Sequence, residues 1–357
     1  MRPSRIALSL VALTCAAFPV AGAAHAAPVH DRSGGAGLTW ELTPTGSTAR
    51  LRGLAVVSRR VAWASGSEGT VLRTTDGGRS WRTVSPPGTE ALQFRDIEAF
   101  DADHAVILSI GEADASRVYR TDDGGRTWAL TFQNDEPHAF YDCMAFFDRH
   151  RGLAMSDPVD GKFRILATGD GGRSWRVLPS GGMPPALADE AGFAASGQCL
   201  VTHGRRDAWL ASGGGAQSRV FHSRDGGRTW TVATTPLPSS PTQGVFALAF
   251  RDARHGIAVG GDFQPGVPSP DAAATTSDGG AHWTVAATPP PEYRSGVTWL
   301  HGFAAIAVGP TGSDVTFTGG RTWRTFDGGS FDTVACAADG ACWAAGEQGR
   351  VARLTYS

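Results

Sequence analysis

Residues 74–81 read TTDGGRSW, and this octet is the stretch of sequence that decides the fold. The pattern returns five times, and every copy ends in tryptophan. The copies are TDDGGRTW at 121–128, TGDGGRSW at 168–175, SRDGGRTW at 223–230, TSDGGAHW at 276–283 and TFTGGRTW at 316–323. Their starts are about 40 to 55 residues apart, which is the period of an array of small repeated units.

Each octet has the composition of a tight turn. Its aspartate accepts hydrogen bonds from nearby backbone N–H groups, a glycine adopts positive φ, and the Ser or Thr hydroxyl holds the returning chain. The tryptophan buries a large apolar ring against a neighbouring sheet. Because each aspartate lies in its own repeat, we interpret these residues as structural rather than as a metal or acid–base site. The structural set is Asp76, Trp81, Asp123, Trp128, Asp170, Trp175, Asp225, Trp230, Asp278, Trp283 and Trp323.

Four strand-like runs surround each octet, as at 51–57, 61–65, 70–74 and 81–84. Antiparallel four-stranded units of this period indicate a β-propeller. The C-terminal unit has only three such runs, and an unpaired run containing Trp40 lies at residues 38–42. The sequence therefore predicts an all-β, seven-bladed propeller whose last blade is closed by the N-terminal strand. Further units are predicted at 94–131, 140–178, 191–233, 244–286, 295–326 and 331–355.

The octet matches [ST]-x-D-x-G-x-[ST]-W, the pattern of the Asp-box or BNR repeat. His282 and Thr318 depart from that pattern in the last two copies. The chain resembles the photosystem II stability/assembly factor family and its non-photosynthetic bacterial relatives, which share the DGGR[ST]W form. The resemblance implies a propeller with a binding or assembly role. Sialidases also carry Asp boxes, but their F/Y-R-I-P motif is missing, since residues 94–97 read FRDI.

The first 26 residues have the layout of a secretory signal peptide: a basic start, an apolar run and an Ala-His-Ala cleavage pattern. The alternative is a lipoprotein signal ending at Cys15. We expect a disordered segment at 27–37, one propeller domain at 38–357 and an exported monomer, periplasmic or extracellular, without membrane insertion. The net charge of −2 gives no electrostatic support for nucleic-acid binding.

Four cysteines follow the predicted leader. Cys336 and Cys342 flank a predicted hairpin turn at Asp339-Gly340, and a disulfide and two free thiols are both compatible with that arrangement. We interpret Cys143 and Cys199 as small buried hydrophobes. The sequence has no zinc-site spacing and no nucleotide-binding or nucleophile-elbow motif, so we predict no metal and no cofactor.

The longest loops all fall on the face opposite the octets, and the innermost strand of each blade starts there. Long loops on a rigid scaffold usually carry function. The starts collect a ring of charged and aromatic residues, namely Arg52, Arg95, Asp96, Tyr141, Asp142, Glu190, Tyr293 and Arg294, with Asp157 and Asp160 in a loop above it.

We interpret this ring as a binding site for a protein partner or a small polar ligand that carries an anionic, sugar-like or peptide group. Two alternatives are a solvated rim of satisfied ion pairs and a glycan-active hydrolase using Asp96, Asp142 and Glu190. No catalytic residue is assigned in the binding interpretation.

Overall fold

The computed structural model describes residues 37–356. The predicted signal peptide and almost all of the predicted disordered segment lie outside the described residues. The described chain folds into seven four-stranded antiparallel sheets. Its helical content is two short 3-10 turns, Ala113–Ala115 and Ser180–Gly182. The predicted all-β, seven-bladed propeller is confirmed.

The strands are numbered in chain order, and six blades each use four consecutive strands. β1 is Leu38–Leu42. Blade 1 contains β2 Leu51–Val56, β3 Ala62–Gly66, β4 Val71–Thr74 and β5 Arg82–Thr83. Blade 2 contains β6 Gln93–Ala99, β7 Ala105–Ile110, β8 Arg117–Thr121 and β9 Ala129–Gln133. Blade 3 contains β10 Tyr141–Phe146, β11 Gly152–Val159, β12 Lys162–Thr168 and β13 Arg176–Val177.

The remaining blades follow the same plan. Blade 4 contains β14 Leu200–His203, β15 Asp207–Ser212, β16 Arg219–Ser223 and β17 Thr231–Thr234. Blade 5 contains β18 Gln243–Phe250, β19 Gly256–Asp262, β20 Ala273–Thr276 and β21 Thr284–Val285. Blade 6 contains β22 Gly296–His301, β23 Ala304–Gly309, β24 Gly312–Thr316 and β25 Arg324–Asp327. Blade 7 contains β26 Thr333–Cys336, β27 Cys342–Ala345 and β28 Val351–Tyr356, followed by β1.

The ring closes through β1, as the sequence predicts. β1 runs antiparallel to β28, with Leu38 opposite Tyr356 and Leu42 opposite Ala352. The indole Nε1 of Trp40 donates a hydrogen bond of 3.0 Å to the Ser313 hydroxyl in blade 6. The N-terminal strand thus covers the edge that blade 7 would otherwise expose.

The octet turns show the hydrogen bonding that their composition predicts. In blade 1, Asp76 accepts from the Ser80 amide at 3.0 Å and from the Ser80 hydroxyl at 2.7 Å. Gly78 has φ +82, and a Cβ there would lie 2.8 Å from a Thr43 methyl group. In the two divergent copies, His282 and Thr318 keep the turn with hydrogen bonds of their own.

The apolar core lies between neighbouring blades, where the octet tryptophans contribute to it. Trp81 meets Trp343 of blade 7 edge-on, with ring centroids 5.9 Å apart. Trp128 meets Trp63 of blade 1 in the same way at 6.4 Å. No helix among residues 37–356 is long and apolar enough to cross a membrane.

Blade 4 differs from its prediction. The sequence places the start of its inner strand near Ala191, whereas the structure begins that strand at Leu200. Ala191 still pairs with Gly213, just beyond β15, but residues 192–198 leave the sheet. We call residues 191–199 the channel segment.

Candidate functional site

The channel segment lies across the central channel and contacts blades 5, 6 and 7. Gln198 makes three of these contacts. Its side-chain amide donates to the Val334 carbonyl of blade 7 at 2.9 Å, and its Oε1 accepts from the Val297 amide of blade 6 at 2.8 Å. Its backbone carbonyl accepts from the Leu248 amide of blade 5 at 3.0 Å. The segment therefore forms a floor within the channel.

A disulfide fastens the end of this floor. Cys199 is bonded to Cys143 on the inner strand of blade 3, with Cα atoms 5.9 Å apart. The interpretation of these two cysteines as independent buried hydrophobes is therefore wrong: both are fully buried, but the channel segment brings them into bonding distance. Cys336 and Cys342 form the second disulfide, across the hairpin of blade 7.

A cavity of about 450 Å³ opens above the floor, on the face opposite the octets, and we call it the cup. Four residues of the predicted ring line it: Arg52, Arg95, Asp142 and Tyr293. The cup also has lining residues that the ring did not include, namely Arg50, Ile110, Phe140, Asp157, Gly192, Phe193, Ala194, Ala195, Phe246, Phe263, Pro310 and Asp332.

One part of the wall is basic. Arg50 makes a two-pronged ion pair with Asp332, at 2.8 and 2.7 Å. Arg52 lies 3.9 Å from the same carboxylate, and its buried Nε has no hydrogen-bond partner among the described residues. Burial lowers the pKa of Arg52. Arg95 donates to the carbonyl of Ala194 at 2.7 Å, so it helps to hold the floor.

A second part of the wall is aromatic. Phe193 of the floor stacks on Phe246 of blade 5, with centroids 4.1 Å apart. Tyr293 meets Phe246 edge-on at 4.7 Å, and burial raises the pKa of the Tyr293 phenol. Phe263 completes the cluster and is 46% exposed. The cup thus has an apolar surface beside its arginines.

A pair of carboxyl groups, Asp142 and Asp157, forms the third part. Burial raises the pKa of Asp142 well above its usual range, and the neighbouring Asp157 carboxyl adds to the shift. Burial also raises the pKa of Asp157 to about 6, although its Oδ1 accepts a hydrogen bond of 2.7 Å from the Gly192 amide. The Oδ2 atom of Asp142 is buried and receives no hydrogen bond from any described group.

Asp96 lies against the channel segment and does not line the cup. Its carboxylate accepts from the amides of Met144 at 2.6 Å and Ile97 at 2.8 Å, and Gly197 packs against it. Burial raises the pKa of Asp96 and also raises that of nearby Glu98 to about 7. Glu98 was not among the predicted ring residues.

The other three ring residues also lie away from the cup. Tyr141 is fully buried and packs edge-on against Phe132. Glu190 is buried in an ion pair with Arg219 and accepts from the Ser212 hydroxyl at 2.5 Å. The set Asp96, Asp142 and Glu190 is therefore not assembled around one cleft.

Arg294 is buried within blade 6, where its Nε lies 2.5 Å from Asp314 Oδ2. Its ion pair with Asp314 thus holds the Arg294 side chain inside the blade and away from the cup.

One cup residue that the predicted ring omitted could have been found from the sequence. The ring was selected from residues at the starts of inner strands, and Asp332 directly precedes β26, the inner strand of blade 7. Of the aromatic wall, the predicted ring included Tyr293 but not Phe193, which reaches the cup only because residues 192–198 leave their sheet.

No group of three or more metal-ligating side chains is assembled anywhere in residues 37–356. No protein-family model matches the sequence, and no curated protein matches it.

Solved structures do resemble the chain. One described as YCF48 bound to D1 peptide aligns with TM-score 0.63 and 13% identity, over 89% of this chain and 95% of that one. YCF48 from Cyanidioschyzon merolae aligns with TM-score 0.61 and 14% identity, over 88% and 98%. The GH74 xyloglucanase of Xanthomonas campestris aligns with TM-score 0.61 and 15% identity, over 88% of this chain and 53% of that one. At these identities the likeness concerns the fold alone.

Proposed function

We propose that this protein is a non-enzymatic binding propeller, resembling an assembly factor, that acts outside the cytoplasm and receives an anionic peptide segment of a protein partner in the cup. Export rests on the signal-peptide pattern of residues 1–26. Binding in the cup rests on the side chains that line it.

The observation that carries this proposal is the Arg52 guanidinium in the cup wall, which makes no hydrogen bond within residues 37–356 and lies 3.9 Å from its nearest carboxylate, that of Asp332. Its side chain is 19% exposed, so its outer nitrogens are open to a ligand carboxylate. Arg95 lines the same cavity, and guanidinium groups bind carboxylates with two parallel hydrogen bonds. The aromatic surface beside them suits an apolar side chain of the same ligand. Binding of D1 peptide by YCF48, a propeller of similar fold, is consistent with a peptide ligand.

The test uses a displayed library of random peptides, selected on the purified protein. We expect the enriched peptides to combine acidic and aromatic residues. Arg52→Gln combined with Arg95→Gln should weaken their binding by about tenfold or more, because the charge-assisted hydrogen bonds are lost.

The matched control is Arg82→Gln combined with Arg126→Gln, which removes two exposed arginines from the octet face. Its affinity for the selected peptides should stay within about twofold of wild type. Equal losses in the two variants, at equal melting temperatures, contradict the cup as the binding site.

A second candidate is a glycan-active hydrolase, and the carboxyl pair is the observation that favours it. Raised pKa values at Asp142 and Asp157 are typical of acid–base sites, and one GH74 structure shares the fold. Hydrolysis of nitrophenyl glycosides that disappears in Asp142→Asn would support this candidate. No hydrolysis by the wild type across a broad glycoside panel would leave the binding proposal as the better one.

A further inference from the structure

A second cavity, of about 620 Å³, lies between blades 3 and 4 on the octet face, opposite the cup. We call it the arginine groove. Its charged lining consists of five arginines and two aspartates, namely Arg151, Arg176, Arg205, Arg206, Arg228, Asp148 and Asp225. In a chain whose formal net charge is −2, this is a local excess of positive charge.

Both carboxylates accept several hydrogen bonds from their own turns. Asp148 accepts from two backbone amides through Oδ1 and from the Arg151 guanidinium through Oδ2, at 2.9 and 2.7 Å. Asp225 is the octet aspartate of blade 4 and accepts from the Ser223 and Thr229 hydroxyls and the Arg228 amide. Neither aspartate forms an ion pair with Arg176, Arg205 or Arg206.

Three arginines of the groove keep their guanidinium groups free. Arg176 follows the octet tryptophan of blade 3, and Arg205 and Arg206 form the turn between β14 and β15. All three are exposed, and within residues 37–356 none has an ion-pair partner or a side-chain hydrogen bond. They are the groups available to a ligand.

Beneath these charges the groove is apolar. Phe147 and Leu178 line it, are half-buried, and pack on the core that blades 3 and 4 share. The groove thus has partly buried apolar side chains beside free guanidinium groups.

The corresponding groove between blades 5 and 6 shows that the charge is a property of the sequence and not of the fold. That groove has a similar volume, about 600 Å³. Its arginines are Arg251 and Arg321, and Arg251 is held over the rings of Trp299 and Phe303. Both blade pairs have a groove of similar size, but of the two only the groove between blades 3 and 4 is lined by three arginines that make no ion pair and no side-chain hydrogen bond within residues 37–356.

We propose that the arginine groove binds an acidic polysaccharide, that is, a chain of sugars bearing carboxylate groups. The planar carboxylate of a uronate matches the guanidinium fork, and the C–H face of a pyranose ring matches the apolar surface of Phe147 and Leu178. Several free arginines in one groove suit a polymer that repeats its charge. This site is independent of the cup and of its proposed ligand.

The test measures binding of an oligogalacturonate by calorimetry at fixed ionic strength, since such binding weakens with salt. Arg176→Gln, Arg205→Gln and Arg206→Gln are combined in one variant. We expect this variant to bind the oligogalacturonate about tenfold or more weakly than wild type. A neutral oligogalactoside of equal length should not bind either protein.

The charge-matched control combines Arg82→Gln, Arg126→Gln and Arg321→Gln, three exposed arginines outside the groove. Its affinity for the oligogalacturonate should equal that of wild type. Equal losses in the two triple variants overturn the proposal, as does a wild type that fails to bind the oligogalacturonate. Binding of polyphosphate or of an oligoglutamate peptide at least as tight as that of the oligogalacturonate also overturns it. Melting temperatures of both variants confirm that any loss is not unfolding.

Discussion

Gly197 of the channel segment lies so close to Asp96 that a Cβ atom on it would be 2.5 Å from Asp96 Oδ1. The carboxylate cannot retreat, because the amides of Met144 and Ile97 hold it from blades 3 and 2. Gly197 also has φ +77, a conformation that strongly favours glycine. The position of the floor therefore depends on the absence of one side chain.

Gly197→Ala should destabilise the protein by about 1–3 kcal/mol, through steric overlap and an unfavourable φ. Chemical denaturation measures the free energy of unfolding. Gly181→Ala is the control, because nothing lies within 4 Å of the atom it adds. Equal stabilities for the two variants would show that the floor does not need this close approach.

The two disulfides should contribute unequally to stability. The Cys143–Cys199 bond closes a sequence separation of 56 residues and the Cys336–Cys342 bond one of 6. Loop-closure entropy then predicts losses of about 4 and about 2 kcal/mol when each pair is replaced by alanine. Denaturation of the two double variants tests this order. The opposite order would mean that strain or unfolded-state structure outweighs loop length.

Stability should decrease as pH rises from about 4.5 to about 7. A carboxyl group whose folded pKa is raised binds its proton more tightly in the native state, so unfolding becomes easier as that proton is lost. Glu98, with a pKa of about 7 caused by burial, is expected to contribute to this trend.

Glu98→Gln should reduce the slope and raise stability at pH 8 by about 1–3 kcal/mol. Thermal melts between pH 4 and pH 8 measure the effect, and Glu90→Gln, at an exposed position, is the control. An unchanged pH profile in Glu98→Gln would mean that this group titrates alike in the folded and unfolded chains.

Below pH 4 the octet aspartates should reverse the trend. Hydrogen bonds from the hydroxyl and amide of Ser80 lower the pKa of Asp76 to about 2. A carboxylate whose pKa is lowered by folding stabilises the native state at pH values above its pKa in the unfolded chain, which is near 4. That stabilisation is lost as the pH falls toward 2. Stability should therefore be highest between about pH 4 and pH 5.

The octet aspartates should affect stability without affecting ligand binding. Asp225→Ala leaves the Thr229 amide and hydroxyl without their acceptor, which should cost about 1–3 kcal/mol. Peptide binding in the cup should be unchanged at a temperature where the variant is folded. Normal stability combined with lost binding would assign this residue to a site.

Sequence reasoning succeeds here where a feature is local. The octet specifies its own turn through residues four positions apart, and Trp40 marks the orphan strand because it resembles the octet tryptophans. It fails where a distant residue decides the outcome. Glu190 and Arg294 start their segments as other ring residues do, but Arg219 and Asp314 capture them. Residues 192–198 read GFAASGQ, and only contacts with other blades show that they leave the sheet.

Removal of β1 should expose the edge of β28 and the apolar surface that Trp40 covers against Phe331, with ring centroids 5.4 Å apart. A chain lacking residues 27–44 should aggregate or melt well below the otherwise identical chain that begins at residue 27. Light scattering and thermal denaturation test this. A stable, monomeric truncated protein would show that three strands suffice for blade 7.

The pairing of Leu38 with Tyr356 also sets an order of events during synthesis. Among the described strands, β1 is made first and its partner β28 is made last, so β1 stays unpaired until residues 351–356 have emerged from the ribosome. Blades 1 to 6 consist of strands consecutive in sequence and can form as they emerge, whereas closure of the ring must wait for β28. A nascent chain stalled before residue 351 would hold six finished blades, an open ring and an apolar N-terminal strand that a chaperone or a second copy could occupy.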